Sequence, residues 1–115
     1  MNSERVEAIL SETHDTDPAR RRRAVAELCP CHVRSNHDAV WERILELVSD
    51  SDLGVRRLVF HSMIDGSPNS RQSEIVEAIE HLRNDDSAKL RRQARKCLAN
   101  YRRTGRINFD GVQKN

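Results

Sequence analysis

Shifted against itself by 35 residues, the chain aligns in three segments without a gap, and this restricts the fold more than any other feature of the sequence. Asp15, Asp50 and Asp85 coincide. So do Arg21, Arg56 and Arg91, the following Arg22, Arg57 and Arg92, then Ala24, Val59 and Ala94, and finally Leu28, Met63 and Leu98. Upstream, Val6, Trp41 and Val76 fall in register, as do Ile9, Ile44 and Ile79. Self-similarity at such a period marks supersecondary units that cannot cover their own apolar stripe and must bury it against one another.

Inside each unit apolar residues recur three or four apart, as in Val40, Trp41, Ile44, Leu45 and Val48, which is the period of a helix. Asp17, Asp52 and Ser87 supply side-chain oxygens suited to capping the second helix of each unit, and Pro18 suits a first helical position. The spacing predicts helices near 3–13, 18–29, 38–49, 53–65, 70–83 and 88–103. Aromatic residues make up 3% of the chain, too few for a β-sandwich or barrel. The expectation is an all-α fold: a short right-handed α-solenoid of three helical hairpins, six helices in all. One domain would span 1–104, with units at about 3–34, 38–69 and 70–104, followed by a polar tail at 105–115.

The string Asp-x-x-Val-Arg-Arg-x-x-x-x-x-Met at 52–63, with counterparts at 17–28 and 87–98, resembles the second helices of HEAT repeats, including the short kind named after phycobilisome lyases. The resemblance extends over roughly 3–103. Arg20 departs from it, standing where the family has an apolar residue. The tetratricopeptide and ankyrin signatures are missing. The resemblance implies a scaffold that holds proteins, or in some cases DNA, on the side lined by its second helices. It also implies that Arg21, Arg56 and Arg91 pair with aspartates of neighbouring turns. It does not extend to a chromophore-attaching activity.

The overall charge of +2 hides a division between helices. Residues 3–14, 38–50 and 70–83 carry −2, −3 and −1, whereas 18–29, 53–65 and 88–106 carry +3, +1 and +8. On the fourth helix Val55, Leu58, Val59, Ser62 and Met63 form an inward stripe, which turns Arg57, His61 and Ile64 outward. The repeat extends this to Arg22, Arg92 and Lys96. A row of guanidinium groups suits carboxylates or phosphates, although a solvated face is the ordinary use of such a row. Arg22, Arg57, His61, Arg92 and Lys96 are therefore the candidate binding surface. An acidic protein is the expected partner, with nucleic acid as the alternative. Stacking aromatics are scarce, with Phe60, Tyr101 and Phe109 the conceivable ones beside Trp41, which the repeat assigns to packing.

Cys29-Pro30-Cys31-His32 is the most unusual local string, because thiolate and imidazole are good zinc ligands. The 35-residue step places Asp65-Gly66-Ser67 on the same edge as Pro30-Cys31-His32, so His61 and Asp65 come within reach. The edge loops at 29–37 and 65–70, with Cys31, His32 and Asp65, join the candidate surface. One residue rather than two separates the thiols, so the metal reading ranks below that of small apolar plugs. Metal- or cysteine-dependent activity is the weaker alternative to a non-catalytic scaffold. No phosphate-cradling or oxyanion loop accompanies the string, and no catalytic residue, metal or cofactor is assigned. The absence of an apolar run long enough for a membrane, and an odd number of cysteines without a secretion signal, point to a cytoplasmic protein with no membrane association.

Overall fold

The computed structural model describes residues 1–29 and 37–107. Its secondary structure there is helical throughout, with α1 (Ser3–Glu12), α2 (Pro18–Glu27), α3 (Asp38–Glu46), α4 (Leu53–Gly66), α5 (Gln72–Leu82) and α6 (Ala88–Thr104). Short 3₁₀ turns at Leu47–Ser49 and Asn69–Arg71 follow α3 and precede α5. No described helix is long and apolar enough to cross a membrane.

Local chemistry fixes where these helices begin. Asp17 accepts from the Ala19 amide, Asp52 from Val55 and Ser87 from Leu90, so each second helix starts on a satisfied cap. One turn earlier the aligned aspartates do the same for the entering chain. Asp15 accepts from Asp17 N, Asp50 from Asp52 N and Asp85 from Ser87 N, each at 2.8 Å.

The aligned apolar positions are the ones that become core. Val6, Ile9, Ala24, Leu28, Trp41, Ile44, Val59, Met63, Ile79, Ala94 and Leu98 are all buried in one continuous cluster. Only Val76, among the aligned apolar residues, stays partly exposed against it. Helix α1 packs on α2, α2 on α4, α3 on α5, and α5 on α6. The radius of gyration, 13.5 Å, is close to the roughly 13 Å of any compact domain of this length.

Burial reaches further around α4 than a single stripe. Ile64, expected to face outward, packs partly buried against the core, and Leu58, expected inward, is only partly buried. Phe60, a conceivable base-stacking residue, is 6% exposed. Helix α4 packs on both α2 and the 3₁₀ turn at Leu47–Ser49, which accords with an apolar arc wider than one stripe.

Within the polar tail expected from Gly105 onward, residues 105–107 are described and turn back onto the core. Gly105 ends α6 in the left-handed conformation, φ 77°, where a side chain would be strained, and its amide bonds Tyr101 O. The chain then folds back to bury Ile107 beside Cys97, whose Sγ lies 3.9 Å from Ile107 O. Desolvation in this pocket pushes the Cys97 thiol up to about 11, leaving it protonated and unreactive at neutral pH.

Candidate functional site

The three aligned arginines that follow the capping aspartates form a ladder. Arg21 holds Asp50 through Nε at 3.0 Å and Nη2 at 3.1 Å, while its Nη1 donates to Asp15 O and Thr16 O. Arg56 repeats this on Asp85, at 2.6 and 3.2 Å, with Nη1 donating to Asp50 O. Each guanidinium thus spans its own unit's aspartate backbone and the next unit's carboxylate, in the bidentate geometry that arginine alone offers. Burial pushes the Asp85 carboxyl up, but hydrogen bonds from Arg56 and the Ser87 amide outweigh it and hold the group below the usual carboxylate range. Arg56 is raised in turn, chiefly by its hydrogen bond to Asp85.

In the third unit the ladder stops halfway. Arg91 Nη1 donates to Asp85 O at 2.6 Å and Asp86 O at 3.2 Å, repeating the first half of the rung. Its Nε and Nη2, which in Arg21 and Arg56 grip a carboxylate, meet none among the described residues.

The row expected to form the binding surface divides in the same way. Arg22 does not point freely outward: its Nη1 donates to Asp52 at 2.8 Å, and it is half-buried. Its aliphatic stem crosses Gly54, where any side chain would run into Arg22 Cδ. That hydrogen bond, helped by the Val55 amide and opposed by burial, holds the Asp52 carboxyl below its usual range. Arg57, His61, Arg92 and Lys96 are exposed as expected. Neither Arg57 nor Arg92 has an ion-pair partner among the described residues.

Helix α6 extends the contrast. Lys89, Arg91, Arg92, Arg95, Lys96, Arg102 and Arg103 lie on it and Arg106 just beyond it, and none of the eight forms an ion pair among the described residues. Arg5, Arg20, Arg21, Arg22, Arg43, Arg56, Arg71 and Arg83, on the rest of the chain, each sit on a carboxylate. Leu90, Ala94, Cys97 and Leu98 form the buried stripe of α6, so its cations cover the opposite arc. Helix α5 carries the other sign, its exposed Glu74, Glu77 and Glu80 lining a shallow depression with Ser73 and Val76. Trp41 and Phe60 are buried and Tyr101 partly so, which leaves no described aromatic fully presented for stacking on bases.

The edge of the molecule holds a second group. Cys29, His61 and Asp65 each offer one ligand atom, and these atoms all lie within 4.8 Å of one another. Cys29 Sγ donates to Asp65 Oδ2 at 3.6 Å. His61 and Asp65 are one turn apart on α4, which puts both on the face turned to the end of α2. Cys29 is buried, Asp65 half-buried and His61 exposed. Cys31 and His32 lie outside the described residues, as does Phe109. His37, near this string in sequence, is not part of the group; its Nδ1 is buried at the start of α3 and has no hydrogen-bond partner among the described residues.

The 35-residue step had placed Asp65 on this edge, but the thiol it meets is Cys29, read from sequence mainly as a plug. Two features had escaped the sequence reading altogether, the half-open rung at Arg91 and the passage of Arg22 over Gly54.

Comparison with protein-family models, curated proteins and solved structures finds no match to this chain.

Proposed function

We propose that the chain is a short HEAT-type solenoid of three helical hairpins that binds an acidic protein through the cationic face of α6 and the adjoining Arg57. The stacked-hairpin reading is supported by the ladder, in which Arg21 and Arg56 each tie one unit to the next across the same 29-residue interval. It is supported also by Arg20. This residue is exposed where the aligned Val55 and Leu90 are buried, as suits the outer face of a terminal unit.

One observation carries the binding reading: eight cations without counter-ions among the described residues are gathered on and just beyond α6, in a chain that pairs most of its other arginines. Such a field steers an anionic partner and gains desolvated, charge-assisted contacts when it docks. Among the described residues Arg91 meets no carboxylate with the fork that Arg21 and Arg56 close on aspartate, and a partner's aspartate fits the same geometry. The acidic exposed face of α5, next to α6, repels an extended polyanion more than a compact acidic patch. A nucleic-acid partner is the second reading, favoured by the density of positive charge on α6.

Arg91→Lys tests the reading. It keeps the charge and loses the fork. Immobilised wild-type and Arg91→Lys chains are exposed to nuclease-treated native lysate, and each is titrated with a duplex DNA over a range of salt. The expected result is a protein retained by the wild type and lost on Arg91→Lys and on Arg92→Glu with Lys96→Glu. Duplex binding that survives Arg91→Lys, falls steeply with salt and accompanies no retained protein would replace this reading with the nucleic-acid one.

A further inference from the structure

We propose that Cys29, His61 and Asp65 form a zinc site at the edge between the end of α2 and the C-terminal half of α4. The inference is independent of the partner proposed above.

The donor set is one thiol, one imidazole and one carboxylate, three different ligand types brought from positions up to 36 residues apart. Their separations are close to those of a loaded site. Zinc–sulfur and zinc–oxygen bonds of about 2.3 and 2.0 Å at a tetrahedral angle put sulfur and oxygen about 3.5 Å apart. Cys29 Sγ and Asp65 Oδ2 are 3.6 Å apart. The imidazole has only to close from within 4.8 Å, and rotation of an exposed side chain does this without moving the backbone.

The chemistry selects the metal. A thiolate disfavours calcium and magnesium, which take oxygen ligands in larger numbers, while the mixed S, N, O set suits a borderline-soft ion with tetrahedral preference. Burial of Cys29 argues for a bound ion over a nucleophile, because a substrate carbonyl has no approach to a thiol covered by its neighbours. Binding replaces the Cys29 proton with the metal, and the proton leaves to solvent. Three protein ligands leave a fourth position, open on the side of exposed His61, for water or an incoming group. His61 shares its repeat position with Lys96, so this side is also the one that carries part of the cationic surface.

The test is titration of the metal-stripped full chain with Zn2+ against a chromophoric chelator, with Co2+ used separately to read thiolate ligation and tetrahedral geometry from its absorption. The expected result is one zinc per chain with a dissociation constant below about 1 µM, and a thiolate-to-cobalt charge-transfer band lost in Cys29→Ser. His61→Ala and Asp65→Asn, one exposed and one isosteric, should each weaken affinity by at least about 100-fold with helical circular dichroism unchanged. Cys97→Ala, which is not part of the group, should leave affinity unchanged. Failure to compete with the chelator would overturn the proposal. So would binding that survives His61→Ala and Asp65→Asn but disappears in Cys31→Ser with His32→Ala, which would move the metal into the 30–36 segment.

Discussion

Replacing Asp85 with alanine tests the ladder where it is most shielded. Its carboxylate takes two hydrogen bonds from Arg56, at 2.6 and 3.2 Å, and one from the Ser87 amide at 2.8 Å. The two side chains are 12% and 6% exposed, so water cannot replace the lost partner and the Arg56 guanidinium is left inside without a counter-charge. Removing one member of a buried pair costs about 3–5 kcal/mol. A domain of this size shifts by about 4 °C for each kcal/mol, so thermal unfolding followed by helical circular dichroism should drop by about 12–20 °C. Glu27→Ala provides the contrast. It breaks an ion pair of nearly the same length, Arg5–Glu27 at 2.7 Å, but with side chains 53% and 34% exposed, and should cost less than about 1 kcal/mol. The double variant Arg56→Met with Asp85→Ala should recover part of the loss, since no orphaned charge remains. If Asp85→Ala costs no more than Glu27→Ala, burial does not set the strength of the ladder and the reasoning fails.

Acid should weaken the fold from the same sites. The Asp85 and Asp52 carboxyls titrate below their ordinary value of 3.8 when folded, so the stability they confer is complete above that pH and is lost as pH falls through the lower folded values. Urea midpoints followed from neutral pH to about pH 3 should decline at the acid end, and Asp85→Asn should flatten the decline. Cys97, pushed to about 11 by burial, should resist alkylation in the folded chain and react only as fast as the chain opens, measured by mass spectrometry with and without urea. Gly105→Ala forces a side chain into φ 77° and should cost about 1–2 kcal/mol in thermal unfolding, because the strain falls on the turn that brings Ile107 into the core.

What could be read from sequence was whatever repeated. The 35-residue step put Ile9, Ile44 and Ile79 at 0% exposure, and the caps at Asp17, Asp52 and Ser87 began α2, α4 and α6 where expected. What could not be read lay where one unit differs from the next or where a contact joins two of them. Ile107 looked like part of a polar tail because its burial depends on a single left-handed residue, not on a pattern. Arg22 looked like a neighbour of Arg57 and Arg92 because periodicity reports which way a residue leaves its helix, not what waits there. Ile64 was turned outward, and Phe60 kept as a conceivable stacking residue, by counting one stripe on a helix that packs on both α2 and the 47–49 turn. The Cys29–His61–Asp65 group was half visible: the step brought the two edges together, but helical spacing does not say which thiol turns inward.

The position at which the cationic face begins is set by two residues. Arg22 is neutralised because the next unit offers Asp52 as its cap and Gly54 as a gap for the arginine stem. By the same step Arg57 stands opposite Ser87 and Lys89, a cap without charge and a cation where the gap would be. Ser87 caps α6 through the Leu90 amide as well as an aspartate would, so the loss of charge there is not forced by the helix. Ser87→Asp with Lys89→Gly should therefore draw Arg57 down onto the new carboxylate as Arg22 lies on Asp52. Stability should change by no more than about 1 kcal/mol, the new ion pair offsetting the cost of glycine in a first helical turn. Capture of the proposed acidic partner should fall as far as with Arg57→Glu. Ser87→Asp alone, with Lys89 still in the way, should reduce it less. Equal capture by the double variant and the wild type would show that Arg57 takes no part in the surface and that the cations of α6 act alone.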